Sequence, residues 1–352
     1  MNINWWIVIA VIAMFLLYIL IDTFFLKPKR NQKLKHKIVK EIKYGKSHIK
    51  LPPVTKNAGI VTILDSTASD GLKDTIMTCE SIRSMSSIPI TVFYSENEGL
   101  SDEESRIFSK FNLSLKSCKD PLLFRAVYES PYQHTIYVAP GFLFVTSPDS
   151  ILASSGFNAT GALFWQSAAH VPDFWTVKKI KWIREFIPFK IDGNPLLTDH
   201  VGTFQSDTII AIDKNRHQKS LKTLGYLLGH WKTVCNEIND ADLFWFLMNQ
   251  CDEAYAFVDS RPGIAGRTFG GTNNQNNNTC GKEIYWDESG RSILGFMGGI
   301  PEYGSIISVA GPNSRWSTNG CMSGGIITQN ANLDVIINNL NKLLQKVEYE
   351  SS

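Results

Sequence analysis

The chain has 352 residues, 43% of them hydrophobic and 19% charged, a globular balance that excludes fibrous and disordered classes. Its net charge of +2 hides an uneven spread, because residues 27–50 are densely basic and the remainder is acidic. Six cysteines (79, 118, 235, 251, 280 and 321) show no CxxC or Cys/His spacing, which argues against a zinc site or a dense disulfide framework and leaves the redox compartment open.

A four-residue tail precedes Trp5 to Leu26, an apolar run long enough to span a bilayer, with Asp22 as its sole charge near one end. No basic residues precede it and no small-residue cleavage site follows, so it reads as a retained single-pass anchor, not a signal peptide. Lys27, Lys29, Arg30, Lys33, Lys35, Lys37, Lys40 and Lys43 lie just beyond it, and the positive-inside rule then places the following domain in the cytosol. Residues 27–56 form a basic tether, which either binds anionic headgroups at about 1 kcal/mol per cation or serves as a solvated spacer.

Residues 57–330 read as one α/β domain with a mostly parallel central sheet flanked by helices. GIVTIL from Gly59 predicts a strand, Leu72 to Met85 a helix, IPITVFY a strand, and Ser101 the cap of a helix with carboxylates in its first turn. HTIYVAP, ATGALFW and DTIIAID follow as strands, and residues 218–231 and 242–250 as helices. The Asn- and Gly-rich stretch between Gly263 and Gly281 predicts a long loop or lid. Residues 331–352 close the chain with an amphipathic helix carrying Leu333, Ile336, Ile337, Leu340, Leu343, Leu344 and Val347 on one face.

Four phrases in order, TGALFW (160–165), IDKNRH (212–217), NDADLFW (239–245) and SRPGIAG (260–266), resemble motifs of an α-mannosyltransferase family of fungal and giant-virus proteins. CGKEIYWDESGRSILGF (280–296) is similar to that family's closing hairpin, with a turn at Asp287 to Gly290. The resemblance spans residues 59–296 and implies a GT-A-like nucleotide-diphospho-sugar transferase fold and a retaining transfer of a hexose from a nucleotide sugar.

The resemblance also implies a DxD motif on a divalent metal, and here this sequence departs from the family. The matching segment is Tyr137-Val138-Ala139-Pro140-Gly141-Phe142, with no acid from Tyr132 through Ser147. Asp149, the nearest acid, fits a helix start better than a metal. The metal-site histidine falls near Met297, whose thioether is a poor ligand for hard cations. The family's ESG turn is replaced around Gln205-Ser206-Asp207, which keeps one carboxylate.

Candidate catalytic acids are therefore Asp242, Asp240 and Asp207, of which Asp242 is the candidate sugar contact, although Asp240 and Asp242 equally suit a helix cap. Candidate donor contacts are Asp65 and Ser66 after the first strand, Arg125 in place of a family lysine, Lys214 after a buried strand, and Arg261, whose guanidinium suits phosphate. Asp213, Lys214, Arg216 and His217 otherwise read as a charged surface turn with a structural histidine. Trp165, Phe174, Trp175, Trp182 and Phe186 suit either sugar stacking or packing.

The resemblance and these residues point to hexosyl transfer, of mannose as the resemblance implies, from GDP-mannose or a UDP-sugar to a glycan or glycoprotein acceptor at a membrane. The rival is an inactive glycosyltransferase-like binding protein, and a third reading replaces the metal by Arg261, Arg125 or Lys214. Nucleic acid is not an expected partner, since the basic run lacks interleaved aromatics. The resemblance favours a lumenal domain, against the positive-inside rule, and sequons stand at Asn112, Asn158 and Asn277.

Overall fold

Strand β1 (Lys56–Ile63) begins an alternating pattern with α1 (Gly71–Arg83), β2 (Ile90–Ser95), α2 (Asp102–Lys110), β3 (Ser114–Cys118), α3 (Leu122–Glu129) and β4 (Tyr132–Val138). These elements come from a computed structural model, which describes residues 33, 49–66, 68–111, 113–119, 122–170, 203–229, 242–269, 278–300, 306–309, 315–316, 321–324, 326–329 and 333–351. The expected spanning segment at 5–26, nearly all of the tether, and Phe174, Trp175, Trp182 and Phe186 lie outside them. Among the described residues no helix is long and apolar enough to cross a membrane.

The chain continues through β5 (Phe142–Phe144), α4 (Asp149–Ala153), α5 (Ser155–Thr160), β6 (Ala162–His170), β7 (Thr203–Asp213), α6 (Gln218–Leu228), α7 (Asp242–Gln250) and β8 (Ala256–Phe257). After these come β9 (Gly263–Phe269), β10 (Asn278–Trp286), β11 (Ile293–Met297), β12 (Ile306–Val309), β13 (Arg315–Trp316), β14 (Cys321–Ser323), β15 (Ile326–Gln329) and α8 (Leu333–Ser351).

One sheet has the order β3-β2-β1-β4-β7-β6-β8. Its strands are parallel except β7, which runs antiparallel to both β4 and β6. Alternate residues serve two cores, as a sheet covered on both faces requires. Ile60, Ile136, Ile209 and Ala211 pack towards α1, α2 and the second sheet, while Val61, Tyr137, Ile210 and Ile212 pack towards α3, α6 and α7. Ser101 caps α2 as expected, in a reciprocal bond pair with Glu104.

The second sheet is antiparallel, in the order β13-β14-β10-β9-β12-β15, with β11 bridging β10 to β5. It corrects the expectation of a long loop from 263 to 281, because both ends of that stretch are strands paired from Gly263↔Ile284 to Phe269↔Asn278. Cys280 and Cys321 form a disulfide across the neighbouring pair β10–β14, a cross-link that their spacing did not announce. The hairpin turn at Asp287 to Gly290 is present, with Gly290 N–H donating to the Asp287 carbonyl at 3.0 Å. Helix α8 packs on α1 through buried Ile337, Leu340 and Val347 and the pairs Lys73–Glu348 and Lys346–Glu80.

Candidate functional site at the switch point

Strand order reverses between β1 and β4: β2 and β3 extend to one side of β1, while β4 and β7 lie on the other. In open α/β sheets, ligands dock outside the carboxyl ends of the strands at such a reversal, where the diverging loops leave a crevice. The loops there include Leu64 to Ser66 and Ala68 to Asp70 after β1, and Ala139 to Gly141 after β4. Gly141 takes a positive φ of 81°, and its N–H donates to Thr78 Oγ1 at 3.0 Å and to the Asp74 carbonyl at 3.3 Å. Loop and α1 are thereby locked together. The Asp74 carboxyl borders Gly141, with Oδ2 3.4 Å from where a Cβ would stand. Burial raises the pKa of Asp74, the Asp70 charge adds to the rise, and Lys282 and Lys73 oppose it.

The second sheet supplies the facing wall. Strand β5 leaves directly from Gly141 and pairs with β11 so that Phe142 lies opposite Met297, and Gly298 N–H donates to the Gly141 carbonyl at 3.2 Å. Strand β10 then brings in Lys282, Glu283 and Tyr285. The buried Tyr285 hydroxyl stands 2.9 Å from Ser206 Oγ and 3.0 Å from Thr208 Oγ1, and it donates to Glu283 Oε2 at 3.2 Å. Burial raises the pKa of Glu283, the Tyr285 hydrogen bond lowers it and the nearby Asp207 charge raises it further. Two carboxyl groups side by side, with Asp207 exposed, can accept hydrogen bonds from sugar hydroxyls.

A cleft of about 290 Å³ opens beside Gly141, lined by Lys73, Asp74, Gly299 and Asn341 among others. A larger one, about 640 Å³, lies at the opposite edge of the sheet between Ile49 to Val54 and Lys214, Gln218 and Lys222. Size does not decide between them. The smaller cleft adjoins the topological crevice, whereas the larger is walled by the incoming chain and by a lysine already bonded to carbonyls.

Residues 139–141 offer no side-chain oxygen, and Met297 offers sulfur where the resemblance expects histidine. Among the described residues no group of three or more His, Cys, Asp and Glu side chains could hold a metal ion. A divalent cation at a nucleotide is held by one or two protein carboxylates together with water and phosphate oxygens, and the β4 loop, where the resemblance expects those carboxylates, supplies none.

The structure separates the residues proposed from sequence. Asp65, Ser66 and Asp207 all stand at the crevice edge: β1 ends at Ile63, and Thr208 accepts the Ala139 N–H at 2.8 Å. Asp242 begins α7 as expected. That end of α7 faces the same edge, because Glu253 beyond its other end accepts the Lys219 and Ser220 N–H groups at the start of α6, while Phe244 packs against Phe124, whose neighbour Arg125 reaches Leu228 at the end of α6. The Asp242 side chain and all of Asp240 lie outside the described residues.

The turn at 213–217 needs correction. Because β7 is inverted, its carboxyl end stands at the amino edge of the parallel strands, with Asp213 opposite His134 at the start of β4. Lys214 is 1% exposed and donates to the Tyr128 and Ser130 carbonyls at 2.8 and 2.7 Å, so it is a buried brace and not a surface cation. Burial pulls its pKa down to about 8. Arg216 bonds the Asn158 and Ala159 carbonyls at the end of α5, and buried His217 lies 3.7 Å from the Glu253 carboxylate. Arg125 pairs with Glu129 at 3.3 Å in the helix layer. Arg261 precedes Gly263, which pairs with Ile284, and so lies level with the far end of β10 from Lys282. Trp165 is buried, its indole N–H donating to the Trp286 carbonyl at 2.9 Å, which selects packing over sugar stacking.

Sequence reasoning missed Asp74, Lys282, Glu283 and Tyr285. The alternation in Lys282-Glu283-Ile284-Tyr285 does put Glu283 and Tyr285 on one face of a strand. Nothing local says which wall that face meets.

No protein-family model matches the chain, and no curated protein matches it. Among solved structures, it is similar to the bifunctional glycosyltransferase WbbM, at 12% identity over 57% of this chain and 38% of that one, with a TM-score of 0.36. Core-mannan synthase A of Aspergillus fumigatus, in an Mn/GDP form, gives 13% identity over 55% of this chain and 70% of that one, with a TM-score of 0.37. The glycosyltransferase GlyE of Streptococcus pneumoniae TIGR4 gives 10% identity over 58% and 45%, with a TM-score of 0.35. At these scores the likenesses are distant, and the site stands on its own geometry.

Proposed function

We propose that the chain is a glycosyltransferase-like protein that binds a nucleotide sugar at the switch-point crevice and transfers its hexose, a mannose by the sequence resemblance, to a glycan or glycoprotein acceptor. The observation that carries this reading is the meeting, at one sheet edge, of the β1 and β4 loops with the Asp207–Glu283–Tyr285 group. The loops suit a nucleotide diphosphate, and the carboxyl group suits sugar hydroxyls. In the transfer, the bond between sugar carbon and diphosphate oxygen breaks with its electron pair on the diphosphate. The acceptor hydroxyl oxygen forms the new bond, and its proton passes to the departing diphosphate. Preference for GDP-mannose over a UDP-sugar rests on the sequence resemblance.

The test is release of nucleoside diphosphate from GDP-mannose and UDP-sugars by the full-length chain. Turnover that falls at least about tenfold in Asp207→Asn and Glu283→Gln, the loss expected when a charged hydrogen bond to substrate goes, supports transfer. Wild-type protein that binds donor without turning it over selects the second reading, an inactive binding protein, which the lack of acids at 139–141 favours.

We further propose attachment to a membrane through residues 5–26, with the domain on the oxidising side. The Cys280–Cys321 disulfide supports that side against the positive-inside rule, since such bonds persist in oxidising compartments. Asn158 is exposed, and a glycosidase-sensitive mass shift at its sequon tests the orientation.

A further inference from the structure

The geometry points to Lys282 as the cation that holds the donor diphosphate at this edge, so that nucleotide binding proceeds without a divalent metal. This rests on the reading just given, that a nucleotide sugar docks at the switch point.

A departing diphosphate gathers negative charge, and a site must meet that charge with a metal or with fixed cations. The oxygen ligands a metal would need are lacking at 139–141, and Met297 does not replace them. The Lys282 ammonium instead lies over the turn that touches this loop. Its Nζ is 3.9 Å from where a Cβ would stand on Gly298 and equally on Gly299. Both glycines have positive φ, 82° and 94°, and carry no side chain to fill the space above the turn. Gly298 is itself hydrogen-bonded to Gly141.

The other cations named above are spoken for or stand elsewhere. Lys73 pairs with Glu348 at 2.8 Å, Lys346 with Glu80, Arg125 with Glu129, and Lys214 and Arg216 with backbone carbonyls. Arg261 lies at the far end of the β10 hairpin. Among the described residues Lys282 makes no hydrogen bond and no ion pair within 4 Å; its electrostatic neighbour is Asp74, across Gly141. An ammonium left partly exposed above a side-chain-free turn, beside the crevice loop, can turn to a phosphate oxygen without breaking a structural bond.

Calorimetric titration of the full-length chain with GDP and with UDP, in EDTA and in Mn²⁺, tests this. Expected are equal affinities in both buffers, a loss of about 10–100-fold in Lys282→Gln, the worth of one charge-assisted hydrogen bond, and recovery of most of it in Lys282→Arg. The melting temperature of each variant, measured alongside, separates lost binding from lost folding. Should wild-type protein bind only with Mn²⁺, or should folded Lys282→Gln bind like wild type, Lys282 is not the diphosphate cation although the donor reading survives. If wild-type protein binds neither nucleotide in either buffer, both readings fall.

Discussion

The Tyr285 hydroxyl lies 2.9 Å from Ser206 Oγ, a contact between residues 79 positions apart that fastens the antiparallel sheet to the inverted strand of the main one. Both side chains are buried, and Thr208 shares the hydroxyl. Tyr285→Phe leaves these serine and threonine hydroxyls short of a partner. The expected cost is about 1–3 kcal/mol in denaturant unfolding. In the Ser206→Ala background the same change should cost less, and additive losses in that double-mutant cycle would rule out the coupling.

Glu283 gives a pH-dependent prediction. Its pKa is raised above the ordinary 4.5, first by burial and then by Asp207, against the lowering hydrogen bond from Tyr285. For an acid with a raised folded-state pKa, the unfolded state ionises first, so its contribution is full at low pH and is lost as pH rises through the folded value. Glu283→Gln cannot ionise and escapes that loss. Its stability relative to wild type should climb as pH rises above 4.5, and a difference that stays flat with pH would show that the carboxyl is not buried as described.

Lys214 behaves in the opposite sense. Burial lowers its pKa from 10.5 to about 8, with Lys116 pushing the same way and Glu129 against. Between those two values the folded chain has shed the proton and the unfolded chain still holds it, so wild-type stability rises with pH across the window. Measured as urea midpoints, wild type should gain on Lys214→Met from about pH 8 towards 10.5. Parallel curves would mean that the two carbonyls keep the ammonium charged despite its burial.

The disulfide can be removed cleanly. Replacing Cys280 and Cys321 together by alanine opens a loop of 41 residues, for which the expected loss is about 2–4 kcal/mol. Dithiothreitol should bring wild type down to the stability of the double variant and leave the variant itself unmoved. Equal unfolding midpoints of oxidised and reduced wild type would exclude a bridged native state.

The parallel part of the fold was legible because its signals are local. Ile60, Val61, Ile136 and Tyr137 belong to apolar runs that only a strand covered on both faces explains, and Ser101 with Glu104 announces a helix start. Asp65 and Ser66 could be placed for the same reason, since a loop after the first strand needs no knowledge of its neighbours. The direction of β7 is not written in Asp207 to Asp213. It depends on the connection from β6, and once β7 is inverted Lys214 moves from the ligand edge to the opposite one. Lys282 and Glu283 were hidden differently, in a hairpin strand that could be read from the sequence although the wall it faces could not. Their role depends on contacts with residues 74, 141 and 207, which no window along the chain brings together.

The inverted strand has one more consequence. Ile49 to Val54 enter the domain against Lys214, and Thr55 N–H bonds the Pro131 carbonyl, so the polypeptide joins the sheet at the edge where β4 begins. Asp207, Gly141 and Lys282 gather where β4 ends, and its seven residues at ~3.3 Å each put about 20 Å between the two edges. The leading segment and the crevice thus stand at opposite edges of the sheet, so that a change where the chain enters the domain leaves the ligand edge one strand length away.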